Sequence, residues 1–248
     1  MKNEFKDLFS SHSNDYVRYR PNYPSHLFEF LSGLTAARGL AWDCGTGNGQ
    51  AATELARYFT NVIATDPSEK QISNAVAQEN IEYRVSTAEE SGLENSSIDL
   101  ICVAQALHWF RHSEFFEECR RVLKANGCLA FWCYELAEIN PVIDACVYCL
   151  YSETLGGYWE KERKLVEEGY RNISVPFNEI NHPSFQMTSV WSLEHFVGYL
   201  STWSGLKTYI NKHNENPLEK IYPELKNIWG DEAKKEVRWK IALRIFRK

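Results

Sequence analysis

The middle of the chain, between residues 39 and 134, alternates short apolar runs with segments whose apolar residues recur every three or four positions. The short runs have the length of β-strands, and the periodic segments are typical of helices that bury one face. Such alternation predicts βαβ units and a parallel sheet. The predicted strands are residues 39–43, 61–65, 81–85, 98–104 and 127–134, and the predicted helices between them include 50–58 and 113–123.

Beyond the fifth predicted strand the pattern changes. Residues 137–235 are rich in tryptophan and tyrosine and are punctuated by five prolines, which favours an insertion of short helices. Residues 236–246 then alternate apolar with charged or small side chains, at the period of a β-strand. We therefore predict a single domain over residues 1–248. Its core covers about 36–135 plus a terminal strand at 236–247, with helices before the core and a helical cap over 137–235.

Composition places the chain among folded globular enzymes, with 248 residues, 44% hydrophobic and 24% charged. No apolar run approaches the ~20 residues that span a bilayer. Residues 1–7 lack the apolar stretch of a secretory signal. The seven cysteines are odd in number and cannot all pair within the chain, which fits a reducing compartment. The expectation is a cytoplasmic protein that does not bind a membrane.

The net charge of −6 argues against a nucleic-acid partner, because proteins that bind phosphate backbones normally present a basic face. Basic residues between Arg238 and Lys248 alternate with apolar ones, as on the outer face of a strand. Cys146 and Cys149 form a CxxC pair, but they lie in an apolar helical stretch, 142–151, with no second ligand pair nearby. We therefore predict no metal site and a small-molecule substrate.

The strongest local pattern is a loop between the first predicted strand and its helix, with glycines at Gly45, Gly47 and Gly49. Glycines suit a backbone that turns sharply and approaches a ligand, and open parallel sheets bind ligands beyond the carboxyl ends of their strands. A nicotinamide fingerprint reads GxGxxG, whereas this loop reads GxGxG and follows Asp43. That carboxylate is unfavourable beside a pyrophosphate and suits an ammonium or sulfonium group. Asp66 ends the second predicted strand, where a carboxylate can accept hydrogen bonds from both ribose hydroxyls.

This loop and Asp66 resemble motif one and the ribose-binding acid of the class I S-adenosylmethionine-dependent methyltransferases. The resemblance implies a doubly wound, mostly parallel, seven-stranded α/β sheet of the Rossmann-like type. It also implies S-adenosylmethionine as cofactor and S-adenosylhomocysteine as product. The cofactor-binding residues implied in this core are Asp43, Cys44, Gly45, Thr46, Gly47, Gly49, Asp66, Pro67, Gln71, Thr87, Ala88, Glu89, Gln105 and Ala106.

The sequence departs from that family at two of these positions. Relatives often carry an acid at the place of Thr87, and many carry a methionine at the place of Gln71. The contact to the adenine amino group is then left to the backbone of Ala88 or to the side chain of Glu89.

Three further segments, residues 16–24, 105–110 and 199–204, are similar to a type-11 subfamily that includes the trans-aconitate methyltransferases. This resemblance implies that Tyr16 and Arg20 close over the cofactor, with Arg20 pairing with its carboxylate. A solvated arginine on an N-terminal helix is the alternative.

The substrate pocket is expected at residues that follow the fourth strand and in the late helical region. His108 and Trp109 directly follow that strand and therefore point at the crevice. His108 is a candidate base or a hydrogen-bonded structural residue, and Trp109 is a packing wall. Tyr199 and Trp203, with His195, are candidates for the opposite wall, and core packing is the alternative for each.

Together, these residues and the resemblance predict an S-adenosylmethionine-dependent methyltransferase that O-methylates a small carboxylic acid or related metabolite. A carboxylate acceptor needs no general base, whereas a hydroxyl or amine requires one such as His108. Two alternatives stay open: a protein that binds the cofactor or its product without methyl transfer, and a nicotinamide-dependent oxidoreductase. The methyl acceptor and the oligomeric state are left open by the sequence.

Overall fold

The computed structural model of the protein describes residues 18–231 and 233–248. Within that part of the chain, eight strands form one mixed sheet. The strands of the predicted core are Leu40–Cys44 (β1), Asn61–Asp66 (β2), Ile81–Val85 (β3), Ile98–Ala104 (β4) and Leu123–Tyr134 (β5). The later strands are Asn178–Glu179 (β6), Phe185–Trp191 (β7) and Lys235–Arg247 (β8).

Helices pack on both faces of the sheet and make up much of the insertion. The helices before β5 are Ser25–Gly33 (α1), Gln50–Leu55 (α2), Glu69–Ser73 (α3) and His112–Val122 (α4). The later ones are Pro141–Cys149 (α5), Arg163–Glu167 (α6), Leu193–Ser201 (α7), Ser204–His213 (α8) and Pro217–Trp229 (α9). A 3₁₀ turn spans Leu107–Trp109, and a π-helical turn spans Leu150–Thr154.

The sheet order is β3–β2–β1–β4–β5–β8–β6, and β7 also pairs with β8. Strands β1 to β5 are parallel, as their continuous apolar runs predict. The chain passes from β1 to one side for β2 and β3, and then crosses to the other side for β4. The order therefore reverses between β1 and β4, and this reversal leaves a crevice at the carboxyl ends of the two strands.

The bounds of β3 and β4 agree with the sequence prediction, while β5 begins earlier than predicted. Leu123 already pairs with Ile98, and the register shifts before the next pairs form. The segment after Leu123 contains the polar residues Lys124 and Asn126, which interrupt the apolar run. The sequence pattern therefore did not predict the start of the strand.

The insertion is less helical than the sequence predicted, because it also supplies β6 and β7. Both run antiparallel to β8, and β8 runs antiparallel to β5. In β7, the side chains of Phe185, Met187 and Trp191 are buried, with polar residues between them. The described part of the sheet therefore has eight strands, where the resemblance implied seven.

Two apolar layers enclose the sheet. One contains α1 together with Trp132 and Trp239, and the other contains α4 together with Trp42. Helix α1 agrees with the prediction of helices before the core, and the earlier part of that prediction falls on residues 1–17, outside the described residues. No helix in the described ranges is long and apolar enough to cross a membrane.

The cysteines include several buried thiols in the strands, as predicted for Cys102, Cys128 and Cys133. In α5, Cys146 is half-buried and Cys149 is exposed. Among the described residues, no group of three or more His, Cys, Asp or Glu side chains could hold a metal ion.

Candidate functional site

The glycine loop lies at the carboxyl end of β1 and is tied to the end of β2. The backbone amides of Gly45 and Thr46 both donate to the carbonyl of Thr65, at 2.9 Å each. Gly45 has a φ of 70°, and a Cβ there would lie 2.6 Å from the Cβ of Ala106. Gly47 has a φ of 56°, and a Cβ there would meet no atom within 4 Å. The loop is therefore packed tightly on the β4 side and open at Gly47.

Asp43 is fully buried near the carboxyl end of β1, two residues before Gly45. Its Oδ2 accepts a hydrogen bond of 2.5 Å from the Thr46 hydroxyl. Its Oδ1 is buried and has no hydrogen-bond partner among the described residues. Burial raises the pKa of Asp43 to about 7, the Thr46 hydroxyl and the backbone amide of Ala52 act against this rise, and the negative charge of Asp66 adds to it. A buried carboxylate oxygen without a donor is unfavourable unless a ligand supplies one.

Asp66 lies on the other side of the loop, at the end of β2. Its Oδ2 accepts the Gly47 amide at 2.9 Å, and its Oδ1 accepts the Ser68 amide at 2.9 Å. Pro67 follows in the turn to α3, where Ser68 caps the helix by accepting from the Gln71 amide at 3.3 Å. The two predicted carboxylates and Gln71 are thus brought to one rim of the crevice.

The segment after β3 was predicted to contact the adenine ring. Thr87 is exposed and Ala88 is buried. The Glu89 carboxylate accepts the Arg111 amide at 2.8 Å and lies 3.9 Å from the Arg111 guanidinium, so it holds the start of α4. Two groups were predicted to contact the adenine amino group, the Glu89 side chain and the Ala88 backbone. Among the described residues, the Ala88 backbone has no hydrogen-bond partner, whereas the Glu89 side chain has one.

The residues after β4 join the loop to β5. Gln105 adopts a φ of 57°, and its backbone N–H donates to the Trp132 carbonyl at 2.8 Å. Its side-chain Oε1 accepts the backbone N–H of Tyr134 at 3.0 Å. This side chain fixes the end of β4 against β5. Ala106 packs on Gly45, and Cys44 is a buried thiol whose pKa burial raises well above its usual value.

Arg20 reaches the crevice from the segment before α1. It donates to the Tyr134 hydroxyl at 2.6 Å and to the Thr202 carbonyl at 3.5 Å, and its guanidinium lies 5.2 Å from the Tyr199 ring centre. Arg20 and Gly49 line a common cavity of about 160 Å³. The arginine is therefore beside the glycine loop, as the resemblance implies. Tyr16 lies outside the described residues.

His108 makes a contact that the sequence did not predict. Its Nδ1 lies 2.7 Å from the hydroxyl of Tyr170, a fully buried residue of the insertion. The hydroxyl proton of a buried tyrosine needs an acceptor and Nδ1 is within reach, so we assign the hydroxyl as the donor and place the proton of the neutral ring on Nε2. Burial, followed by the positive charge of Arg163, lowers the pKa of His108 to about 3. Near neutral pH the imidazole is therefore uncharged and presents an N–H donor.

The remaining predicted pocket residues are Trp109, Tyr199, Trp203 and His195. Trp109 is partly exposed and packs on His108 with ring centres 4.7 Å apart. Tyr199 and Trp203 are buried, with ring centres 6.0 Å apart. His195 packs on Trp191 at 4.4 Å and on Tyr19 at 5.3 Å, as a core histidine does.

The insertion adds residues that sequence reasoning missed. Tyr151 lies 5.7 Å from Trp203 and 4.6 Å from Trp159, centre to centre. We call Tyr151, Trp159, Tyr199 and Trp203 the aromatic wall. Arg163 is stacked on two of these rings. The high aromatic content of the insertion was the one signal for this wall, and it carries no spacing that would identify individual members.

Comparisons with known proteins agree with this architecture. A family model described as a methyltransferase domain, of type 11, matches residues 42–131. A Dictyostelium discoideum protein named as a methyltransferase is 40% identical over 222 residues, which cover 88% of this chain and 84% of that protein. A solved structure described as a type II methyltransferase, from Anaeromyxobacter dehalogenans, is 40% identical with a TM-score of 0.87, over 92% of this chain and 98% of that one. A Saccharomyces cerevisiae protein named a probable S-adenosylmethionine-dependent methyltransferase is 26% identical over 265 residues, covering 92% of this chain and 88% of that protein.

Proposed function

The chain belongs to the methyltransferase domain family, and on that premise we propose that it transfers the methyl group of S-adenosylmethionine to a small-molecule acceptor. The donor named for the yeast relative supports this cofactor. So does the resemblance of the glycine loop and Asp66 to the corresponding motifs of class I enzymes.

The observation that carries the proposal is the buried Oδ1 of Asp43, which has no donor among the described residues. A cationic ligand at the open side of the loop would supply one and would favour the ionised carboxylate. The pyrophosphate of a nicotinamide cofactor would instead bring negative charge toward Asp43 and Asp66. The residues present therefore fit a ligand with an ammonium or sulfonium group.

In this proposal, Asp43 and the amides of the glycine loop hold the methionine part of the cofactor. Asp66, whose carboxylate is held at the end of β2 by the amides of Gly47 and Ser68, accepts the ribose hydroxyls. The backbone at Ala88 contacts the adenine, and Arg20 pairs with the cofactor carboxylate. When bound, S-adenosylmethionine supplies an electrophilic methyl group on a sulfonium. Asp43 keeps its negative charge close to that cation.

The protein's own contribution is to position the acceptor and to exclude water. Holding a nucleophile in line with the methyl group can be worth ~7–11 kcal/mol. The aromatic wall and Trp109 provide an apolar surface on the acceptor side, which lowers the local dielectric around the reacting groups.

We propose a small carboxylic acid as the acceptor, related to the substrates of the trans-aconitate methyltransferases that residues 16–24, 105–110 and 199–204 resemble. The hydrogen bond from Tyr170 to His108 supports an acceptor of this class, because it leaves His108 as a donor. A carboxylate acceptor is already ionised near neutral pH and gives up no proton. His108 then orients the acceptor and takes no proton from it.

Calorimetry tests the cofactor assignment. We expect saturable binding of S-adenosylhomocysteine, no binding of NAD, and about 10- to 100-fold weaker S-adenosylhomocysteine binding by Asp66→Ala. Asp99→Ala is the matched control, since Asp99 is a buried aspartate at the opposite end of the sheet, paired with Lys124. Unchanged affinity in Asp66→Ala, or saturable binding of NAD alone, contradicts the proposal.

Methyl transfer is measured separately, with labelled S-adenosylmethionine and a panel of acids, phenols and amines that includes trans-aconitate. Transfer to an acid supports the enzyme. Tight cofactor binding without transfer to any member of the panel supports the alternative of a binding protein.

A further inference from the structure

Arg163, in α6 of the insertion, is a cation held by rings and not by a carboxylate. Its guanidinium carbon lies 5.1 Å from the Trp159 ring centre and 5.4 Å from that of Tyr151. Its Nε donates to the Tyr151 hydroxyl at 2.9 Å. Within the described ranges, Arg163 forms no ion pair, and its two terminal nitrogens donate to no protein atom. Most of the five N–H donors of this half-buried side chain are therefore available.

The neighbouring carboxylate positions Arg163 without neutralising it directly. The Tyr151 hydroxyl donates to Glu167, so its oxygen accepts from the Arg163 Nε. Burial raises the pKa of Tyr151 to about 12, so the hydroxyl keeps the proton that this arrangement requires. The result is a guanidinium with fixed orientation that is linked to the Glu167 carboxylate only through the Tyr151 hydroxyl.

The position of Arg163 relates it to the proposed acceptor site. Helix α6 packs against the 3₁₀ turn that carries His108, and the charge of Arg163 lowers the pKa of that histidine. The Nε2 of His108 has no partner in the described part of the chain and is not sealed from solvent. Two sets of N–H donors, one charged and one neutral, thus lie on the same side of the crevice.

The aromatic wall connects this position to the cofactor side. Tyr151 contacts Trp203, Trp203 contacts Tyr199, and Arg20 lies over Tyr199. Arg163 is therefore at the end of the wall away from Arg20. An acceptor held between Arg20 and Arg163 would meet Arg163 with the end that points away from Arg20.

We propose that Arg163, with the Nε2–H of His108 beside it, binds a carboxylate of the acceptor that anchors the substrate and is not itself methylated. This inference rests on the proposed function, because it specifies the acceptor of the same site. Two charged N–H···O bonds from a guanidinium draw electron density from a carboxylate and make its oxygens poorer nucleophiles. The methylated oxygen therefore belongs to another group of the same acid.

A carboxylate fits this site better than a phosphate does. A phosphate monoester carries nearly two negative charges near neutral pH, and Arg163 supplies one positive charge beside a neutral imidazole. The flat rings beside the guanidinium also suit a planar anion, and their low dielectric strengthens the ion pair relative to water.

The test is a titration of the protein, saturated with S-adenosylhomocysteine, with succinate, benzoate, trans-aconitate and inorganic phosphate. Tryptophan fluorescence reports binding, because Trp159 is stacked on Arg163. We expect at least one carboxylate to bind saturably and its amide counterpart not to bind. We expect Arg163→Gln to weaken that binding about 10- to 100-fold, as for loss of a charged hydrogen bond. Arg163→Lys keeps the charge without the planar fork. We expect its carboxylate affinity to lie between those of the unmodified protein and Arg163→Gln.

Lys164→Gln is the matched control, since it removes one positive charge from the same helix at a side chain that is 78% exposed. It should bind the carboxylate as the unmodified protein does. The inference is overturned if no carboxylate binds, if Arg163→Gln binds as well as the unmodified protein, or if inorganic phosphate binds more tightly than every carboxylate. Calorimetry with S-adenosylhomocysteine on each variant separates the two proposals, because loss of the anchor leaves that affinity unchanged. A protein that does not bind S-adenosylhomocysteine at all fails the proposed function, and the carboxylate titration without it still tests the anchor.

Discussion

Asp43 and Asp66, on the side of the crevice formed by β1 and β2, place two carboxylates around a loop of backbone amides. The side formed by the insertion instead places Arg163 at the end of a row of aromatic rings, and Arg20 lies at the other end of that row, beside the glycine loop. We call these the donor side and the acceptor side, after the proposed function. A cationic methyl donor and an anionic acceptor would each meet a wall of opposite charge. This difference in charge would orient the two reactants before any contact with the methyl group is made.

The two sides also differ in construction. The donor side depends mainly on backbone amides and on glycines that allow close approach, within a short stretch of sequence. The acceptor side depends on side chains from distant segments, including His108, Tyr151 and Tyr170. Mutations should therefore act on folding and donor affinity at the first side, and on acceptor affinity at the second.

The largest expected effect is that of a single methyl group on the donor side. Gly45→Ala places a Cβ 2.6 Å from Ala106 at a φ of 70°, so steric overlap adds to backbone strain. We expect it to lower the free energy of unfolding by about 3 kcal/mol. Gly47→Ala is the matched variant, with a φ of 56° and free space around the Cβ, and should cost about 1 kcal/mol. Urea denaturation measures both, and equal losses would contradict the close packing at Gly45.

Asp43→Asn removes the charge from the donor side while keeping the shape. We expect the affinity for S-adenosylmethionine to fall about 100-fold, because a charged hydrogen bond is lost. The stability of the ligand-free protein should not fall, because a buried carboxylate with an unsatisfied oxygen is removed. Calorimetry and thermal melting provide the two measurements. Full retention of affinity would show that Asp43 does not face the cation.

The pH dependence of donor binding sharpens the same point. The pKa of Asp43 is raised to about 7, so below that pH the cation must displace a proton. Affinity should rise up to about tenfold per unit from about pH 5 to 7 and then level off. Because the folded pKa exceeds the unfolded value of 3.8, the carboxyl favours the folded, ligand-free protein at low pH. That contribution is lost as the pH rises toward 7.

The control for this titration is Asp43→Asn, in which the titrating group is absent. The difference between the two proteins isolates Asp43 from any titration of the ligand itself. A parallel pH profile in both proteins would contradict the assignment.

The smallest expected effect is on the acceptor side, at His108. If His108 donates a hydrogen bond, His108→Ala should raise the acceptor KM about tenfold and change kcat little. His108→Gln, which keeps an N–H donor, should recover part of that loss. A general base would instead cost about 10²- to 10⁴-fold in kcat. Steady-state kinetics with the best acid of the panel distinguishes these outcomes.

Much of the core was predictable from local pattern. The bounds of β3 and β4 agree with the structure, and β4 was predictable because continuous apolar residues define a central strand. The glycine loop and Asp66 were predictable for the same reason, since each sits directly after a strand. Parallel strands bring their carboxyl ends together whatever the rest of the chain does.

Side-chain engagements were not predictable in this way. Glu89, a candidate for the adenine, was found to hold Arg111, and Gln105 was found to tie β4 to β5. Each partner lies more than twenty residues away in the chain, and no periodicity links the members of such a pair. The strand β7 was missed for a related reason, since its identity as a strand depends on pairing with β8.

The sequence by itself determined the parallel core, the position of the glycine loop and the two carboxylates that flank it, because these follow from contiguous residues and strand order. Only the tertiary structure decided that, among the described residues, one oxygen of Asp43 is left without a donor, Nδ1 of His108 meets the Tyr170 hydroxyl, and Arg163 is stacked on rings without an ion pair. These properties depend on burial and on contacts between segments far apart in the chain. They cannot be predicted from the hydrophobic pattern or from residue spacing.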